Sequence, residues 1–167
     1  MCRPMATYLL ENRFPEEVVR LHRREKNRNQ GNGVAHHCST IAFYMANRLM
    51  TAELAEQLKD FPLYSQDGKQ KDATCVCVFE IGLIRWYVLE GQPEGDDFTL
   101  FSIVVGMAET EYGYASVKEM EGITVDGSRY GLGTLRIRQV LNFKPCPLAE
   151  IQDRRLQDFL SRLYEEK

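Results

Sequence analysis

Side-chain character alternates along residues 73–81, with Cys75, Cys77, Phe79 and Ile81 on one parity and Thr74, Val76, Val78 and Glu80 on the other. A period of two is the signature of a strand with two distinct faces. Gly82 permits a turn, and 84–90 reads as a second strand rich in β-formers. Residues 91–97 carry Gly, Pro and Asp and read as a loop. The stretch 98–107 is apolar on both parities, which predicts a strand covered on both sides. A short extended piece follows over 111–115. Leu135, Ile137 and Leu141 then alternate with Arg136 and Arg138, predicting a half-exposed strand over 135–143 that Pro145 and Pro147 stop.

The helical signals lie on either side. Thr51 reads as an N-cap for a helix over 52–59, with Leu54, Ala55 and Leu58 on one side. Asp60-Phe61-Pro62 ends it, because the residue before a proline is pushed out of the α region. Ser116-Val117-Lys118-Glu119 is a capping-box pattern, and Gly122 keeps its helix brief. A last helix over 148–164 places Ile151, Leu156, Phe159, Leu160 and Leu163 on an apolar face. Arg154 and Asp158 sit four apart on its wet side and can pair, worth about 0.3 kcal/mol. Upstream, Pro15-Glu16-Glu17 opens a helix over 16–28 whose second half is basic. Residues 27–33 read as a loop, and Ser39 or Thr40 caps a further helix reaching Asn47.

Strands in succession without βαβ alternation predict an α+β fold. The expected architecture is an antiparallel sheet of about four or five strands packed with helices, plus a helical N-terminal extension. The division expected is an extension over 1–50, partly basic, and an α+β domain over 51–167.

Composition narrows the setting. The chain has 167 residues, enough for a core without disulfides or metal, and a formal charge of −3. That balance carries no global nucleic-acid or membrane signature. Its cysteines number five, an odd count, and no secretory apolar segment opens the chain. Both features point to a reducing compartment, so a cytoplasmic location is expected. The longest apolar run, 98–108, is interrupted by Thr99, Ser102 and Gly106. It falls far short of the roughly 20 residues that span a bilayer, so no membrane is expected.

A series of weak signals runs in order from Leu63-Tyr64 through Phe79, Trp86-Tyr87, Glu90-Gly91, Phe98, Phe101 and Gly106. It continues with Glu111-Tyr112-Gly113-Tyr114, Ser116, Glu119, Glu121, Gly131-Leu132 and Phe143-Lys144-Pro145. In this order and spacing, residues 51–151 resemble the domain-of-unknown-function family twenty-nine fifty-eight, small proteins of bacterial plasmids and integrative conjugative elements. The resemblance implies an accessory role on a mobile element, such as counter-defence or transfer, and no reaction. One departure stands out. Many family members carry an acid–arginine–acid run before the Phe-Lys-Pro element, where this chain has Arg138-Gln139-Val140.

Candidate chemistry is sparse, and each candidate has a bland counterpart. His36, His37 and Cys38, with Cys75 and Cys77, are zinc-type ligands. Their spacing fits no standard zinc pattern, and a strand Cys-x-Cys serves equally as small core residues. Arg20, Arg23, Arg24, Lys26 and Arg28 could contact phosphates, with Asn27, Asn29 and Gln30 as polar readers, or simply face solvent. Trp86, Tyr87, Tyr112, Tyr114 and Tyr130 could form a stacking surface for bases, or pair across the sheet and fill the core. Tyr112 and Tyr114 are two apart, hence on one face, beside the helix start at Ser116, where an anion can bind. Trp86, Tyr112, Tyr114 and Ser116 are therefore the expected ligand pocket.

No catalytic set emerges and no cofactor is implied. The leading expectation is a non-catalytic accessory protein acting on a protein partner. The alternatives are a nucleic-acid-binding module built on residues 20–28 and the tyrosines, and a small metal-dependent enzyme built on the His/Cys cluster. The oligomeric state stays open.

Overall fold

The computed structural model describes residues 47–165. The helix expected over 16–28, the one expected to start at Ser39 or Thr40, the basic residues Arg20, Arg23, Arg24, Lys26 and Arg28, and the ligand candidates His36, His37 and Cys38 lie outside the described residues.

Helix α1, Ala52–Leu58, starts where Thr51 accepts a hydrogen bond from the Leu54 N–H at 3.2 Å. Strands β1 (Thr74–Cys75), β2 (Cys77–Ile81), β3 (Ile84–Glu94), β4 (Asp97–Val105) and β5 (Glu111–Ser116) follow. Helix α2 (Val117–Gly122) leads to β6 (Thr124–Asp126), β7 (Thr134–Arg136), β8 (Arg138–Gln139) and β9 (Cys146–Pro147). Helix α3, Arg154–Tyr164, closes the described chain. The main sheet is antiparallel with five strands in the order β5-β4-β3-β2-β8. Two small ladders, β1 with β9 and β6 with β7, flank it. The fold is α+β, with helices on both faces of an antiparallel sheet.

Alternation along the strands divides the core in two. Phe79, Trp86, Val88, Leu100 and Val104 pack with Leu54 and Leu58 of α1, Val117 and Met120 of α2, and Leu49 and Met50. Val78, Tyr87, Leu89, Ile103 and Val105 face the other way, onto Leu148 and onto Leu156 and Leu160 of α3. Each of these fully buried leucines contributes about 2 kcal/mol relative to exposure. Strand β4 runs between β3 and β5 and feeds both clusters, which accounts for its apolar character on both parities.

Two irregularities break the simple pattern. Strands β1 and β2 are separated at Val76, whose N–H reaches the Val88 carbonyl that also faces Cys77 in register. Val76 and Cys77 therefore both enter the α1 side, and Cys75 enters the α3 side. The expected shared face of Cys75 and Cys77 is not what forms. The second irregularity lies between Val88 and Glu90, where β3 holds one residue more than β4 opposite it. Such a bulge re-aims the residue after it. Leu89 lies in the α3-side core, and Glu90, paired with Phe101, is carried to a buried position.

The strand expected over 135–143 divides around buried Ile137: β7 pairs with β6 and β8 pairs with β2. The last helix begins six residues later than its apolar pattern suggests. Residues Leu148–Glu150 form a 3-10 turn after Pro147, and extended Asp153 is the true N-cap.

Candidate functional site

The α3 sequence RRLQDFLSRLY has two stripes. Leu156 and Leu160, four apart, are buried against the sheet. Arg155, Phe159 and Arg162, at i, i+4 and i+7, fall on a neighbouring stripe and line an open cleft of about 780 Å³. The opposite wall is Leu83, in the β2–β3 turn, and the β4–β5 loop from Gly106 to Thr110. Only glycine permits that wall. Gly106 has φ +96°, and a Cβ placed there would lie 2.1 Å from the Leu83 carbonyl oxygen.

The cleft is amphipathic. Leu83 is 81 % exposed and Leu163 50 % exposed, although both are apolar. Arg154 pairs with Asp158 at 3.7 Å, as its spacing predicts, and Arg162 Nε donates to the Asp158 carbonyl at 3.3 Å. Neither Arg155 nor Arg162 has a carboxylate partner among the described residues. Glu109, exposed on the loop wall, is the acid of the lining.

An aromatic row runs from the cleft across the sheet face. Phe159 meets Tyr112 with ring centres 5.6 Å apart, Tyr112 stacks on Phe101 at 5.5 Å, and Phe101 meets Tyr114 at 5.0 Å. The Tyr112 and Tyr164 hydroxyls are 2.9 Å apart. Burial, then that hydrogen bond, pushes the Tyr112 hydroxyl above its ordinary pKa. Tyr114 is pushed up to about 12, chiefly by burial and then by the Tyr64 hydroxyl.

Helix α3 is anchored at its start by Asp153. This carboxylate accepts from the Arg155 and Leu156 N–H groups at 2.9 and 3.2 Å. It also accepts from the Tyr87 hydroxyl at 2.6 Å and from Arg85 at 3.2 Å. The chain of charges continues from Arg85 to Glu80 at 3.7 Å, and Arg138 donates two hydrogen bonds to the same Glu80 carboxylate. Burial alone raises the Asp153 pKa, but the Tyr87, Leu156, Arg155 and Arg85 hydrogen bonds outweigh it and hold the carboxyl below its ordinary value.

The expected pocket of Trp86, Tyr112, Tyr114 and Ser116 does not assemble. Tyr112 and Tyr114 share a face, both against Phe101. Trp86 is buried in the opposite core, because it precedes Tyr87 on β3 and neighbouring strand residues point to opposite sides. Ser116 does cap α2, accepting from the Glu119 N–H at 3.1 Å. The anion at that helix start is the protein's own Asp97, which accepts from the Ser116 hydroxyl and from the Lys118 N–H.

The metal candidates are also parted. Cys75 and Cys77 are both buried, on opposite faces, and Cys75 Sγ donates to the Cys77 carbonyl at 3.3 Å. Among the described residues, no group of three or more His, Cys, Asp or Glu side chains is placed to hold a metal ion. Among them, too, no helix is long and apolar enough to cross a membrane.

The cleft residues Leu83, Arg155, Phe159 and Arg162 were not among the candidates read from the sequence. The i, i+4, i+7 repeat of basic, aromatic and basic residues on α3 was the available signal. No family model, curated protein or solved structure matches this chain.

Proposed function

We propose that this protein acts by binding, and that the cleft between α3 and the Leu83 turn docks a segment of a protein partner. The observation carrying the reading is an exposed apolar side chain, Leu83, facing a helix stripe that holds Phe159 between two arginines with no acidic partner among the described residues. Apolar contact set beside complementary charge is how amphipathic segments are held in grooves. The likeness to the mobile-element family supplies the setting: an accessory role on a plasmid or conjugative element, of a counter-defence or transfer kind.

Selection of displayed random peptides on the immobilised full chain tests the reading. The control is Leu83→Asp, a change at an exposed turn residue that costs folding no more than about 0.5 kcal/mol. The expected result is a set of enriched peptides whose affinity falls at least tenfold on Leu83→Asp. No enrichment, or peptides that bind both proteins alike, would overturn docking at this cleft.

A further inference from the structure

We infer that the occupant of the cleft is an acidic amphipathic helix, with carboxylates seven residues apart and an apolar residue midway between them. The inference rests on the docking reading above and specifies the partner's chemistry.

The spacing comes from α3 itself. Arg155 and Arg162 are seven residues apart, which is about 10.5 Å along a helix at 1.5 Å per residue. Two turns bring them back to nearly the same side, and both line the cleft. Phe159 lies between them on the cleft floor, half-buried against Tyr112. A ligand that satisfies all three presents negative charge, apolar surface and negative charge over that length.

A helix running alongside α3 does so with acids at i and i+7 and an apolar residue at i+3 or i+4. An extended segment fits poorly. Its same-face positions recur about every 6.7 Å, so they fall near 7 and 13 Å rather than 10 Å.

Charge on the other wall sets the orientation. Glu109, on the β4–β5 loop, repels acids there, so the partner's carboxylates align with the α3 wall. Leu83 and Leu163 give the apolar ridge of such a helix further contact. A nucleic-acid strand would satisfy the arginines, but its sugars and thymine methyl groups offer less aliphatic surface to set against these two leucines than an apolar helix ridge does.

The test compares peptides enriched on three proteins: wild type, Leu83→Asp, and the double variant Arg155→Glu/Arg162→Glu. The displayed peptides should be about sixteen residues long, because shorter isolated helices are marginal in water. Wild type should enrich peptides with Asp or Glu seven apart around an apolar centre. The double variant should bind them at least tenfold more weakly and should enrich Lys or Arg at the same two positions instead. The preference for acids should shrink as salt rises, since both arginines are exposed.

Enriched peptides that depend on Leu83 but carry no paired acids would overturn the acidic partner and leave docking intact. Absence of any Leu83-dependent peptide would overturn both. A single-stranded oligonucleotide that competes only when Arg155 and Arg162 are present, where acidic peptides do not bind, would replace the helix with nucleic acid.

Discussion

Asp153 holds α3 to the sheet, and Asp153→Ala measures how strongly. The substitution removes three supports at once. The first is the helix N-cap, since Asp153 accepts from the Arg155 and Leu156 N–H groups. Loss of an Asp cap to Ala costs about 1 kcal/mol. The second is the acceptor for the Tyr87 hydroxyl, on a side chain only 2 % exposed. A buried hydroxyl left without a partner costs about 1–3 kcal/mol. The third is the pair with Arg85, whose side chain is 47 % exposed, so it adds no more than about 1 kcal/mol. Because these contacts share one carboxylate they do not simply add, and a loss of about 2–4 kcal/mol is expected. For a chain of this size that lowers Tm by roughly 5–15 °C. Urea titration gives the number, followed by circular dichroism and by the fluorescence of Trp86. That residue is the single tryptophan and lies on the sheet face away from α3. The pH dependence has a definite sign. The folded carboxyl is held below its ordinary value, so its stabilisation is fully present above the unfolded pKa of about 3.9 and is lost as pH falls through the lower folded value. The gap between wild type and variant should stay constant from pH 7 to about 5 and narrow below about 4. A loss under about 1 kcal/mol at pH 7, or full additivity of Asp153→Ala with Tyr87→Phe in a double-mutant cycle, would refute the anchoring role.

Glu90 is 3 % exposed and accepts from the Tyr64 N–H at 2.7 Å and the Gln66 N–H at 2.5 Å, so it clamps the loop after α1 onto the sheet. Glu90→Gln keeps the shape but sets an amide NH₂ against one of these donors. It should cost about 1–3 kcal/mol in chemical denaturation, and a change within 0.5 kcal/mol would remove the clamp from the account. The cysteines should differ in reactivity. Burial pushes the Cys75 and Cys77 thiols well up; burial and then Glu150 raise the Cys146 thiol too, but that residue is only partly buried. Peptide mapping after alkylation of the folded protein should show Cys146 modified at least about a hundredfold faster than Cys75 or Cys77. Equal rates would contradict the burial of that strand pair.

Local rules found the elements whose causes are local. Thr51 and Ser116 cap helices because a side-chain oxygen three residues before an orphan N–H can reach it whatever the rest of the chain does. The alternation over 77–81 survives because one face meets α1 and the other meets α3. What escaped the sequence reading depends on distant partners. Nothing in Cys75-Val76-Cys77 marks a bulge: no Gly or Pro is present, and the extra residue is set by Val88 across the ladder. The break at Ile137 has the same origin, since β7 is drawn to β6 and β8 to β2. The expected pocket failed on pairing as well. Trp86 follows the parity of β3, and Ser116 is met by Asp97 from the start of β4. Asp153 was readable in principle, standing three residues before Leu156. The apolar pattern over 148–164 concealed it by running through the 3-10 turn.

The cleft and the fold share their constraints. Rotation of α3 about its axis decides which stripe meets the sheet, and one residue of slip turns the helix by about 100°. Buried Leu156 and Leu160 fix that rotation from the inside. Asp153 fixes the first turn through Tyr87 and Arg85, while Tyr164 with Tyr112 and Glu165 with Lys71 fix the last. With both ends and the inner stripe held, the bases of Arg155 and Arg162 cannot exchange places with the core. Their spacing is therefore set before any ligand arrives. The facing wall is set by backbone contact, because Gly106 lets the β4–β5 loop close onto the Leu83 carbonyl. A site whose backbone is already set loses little conformational freedom of its own when a ligand binds. A partner helix of the kind proposed above would then need only two acids and one apolar residue in register with α3.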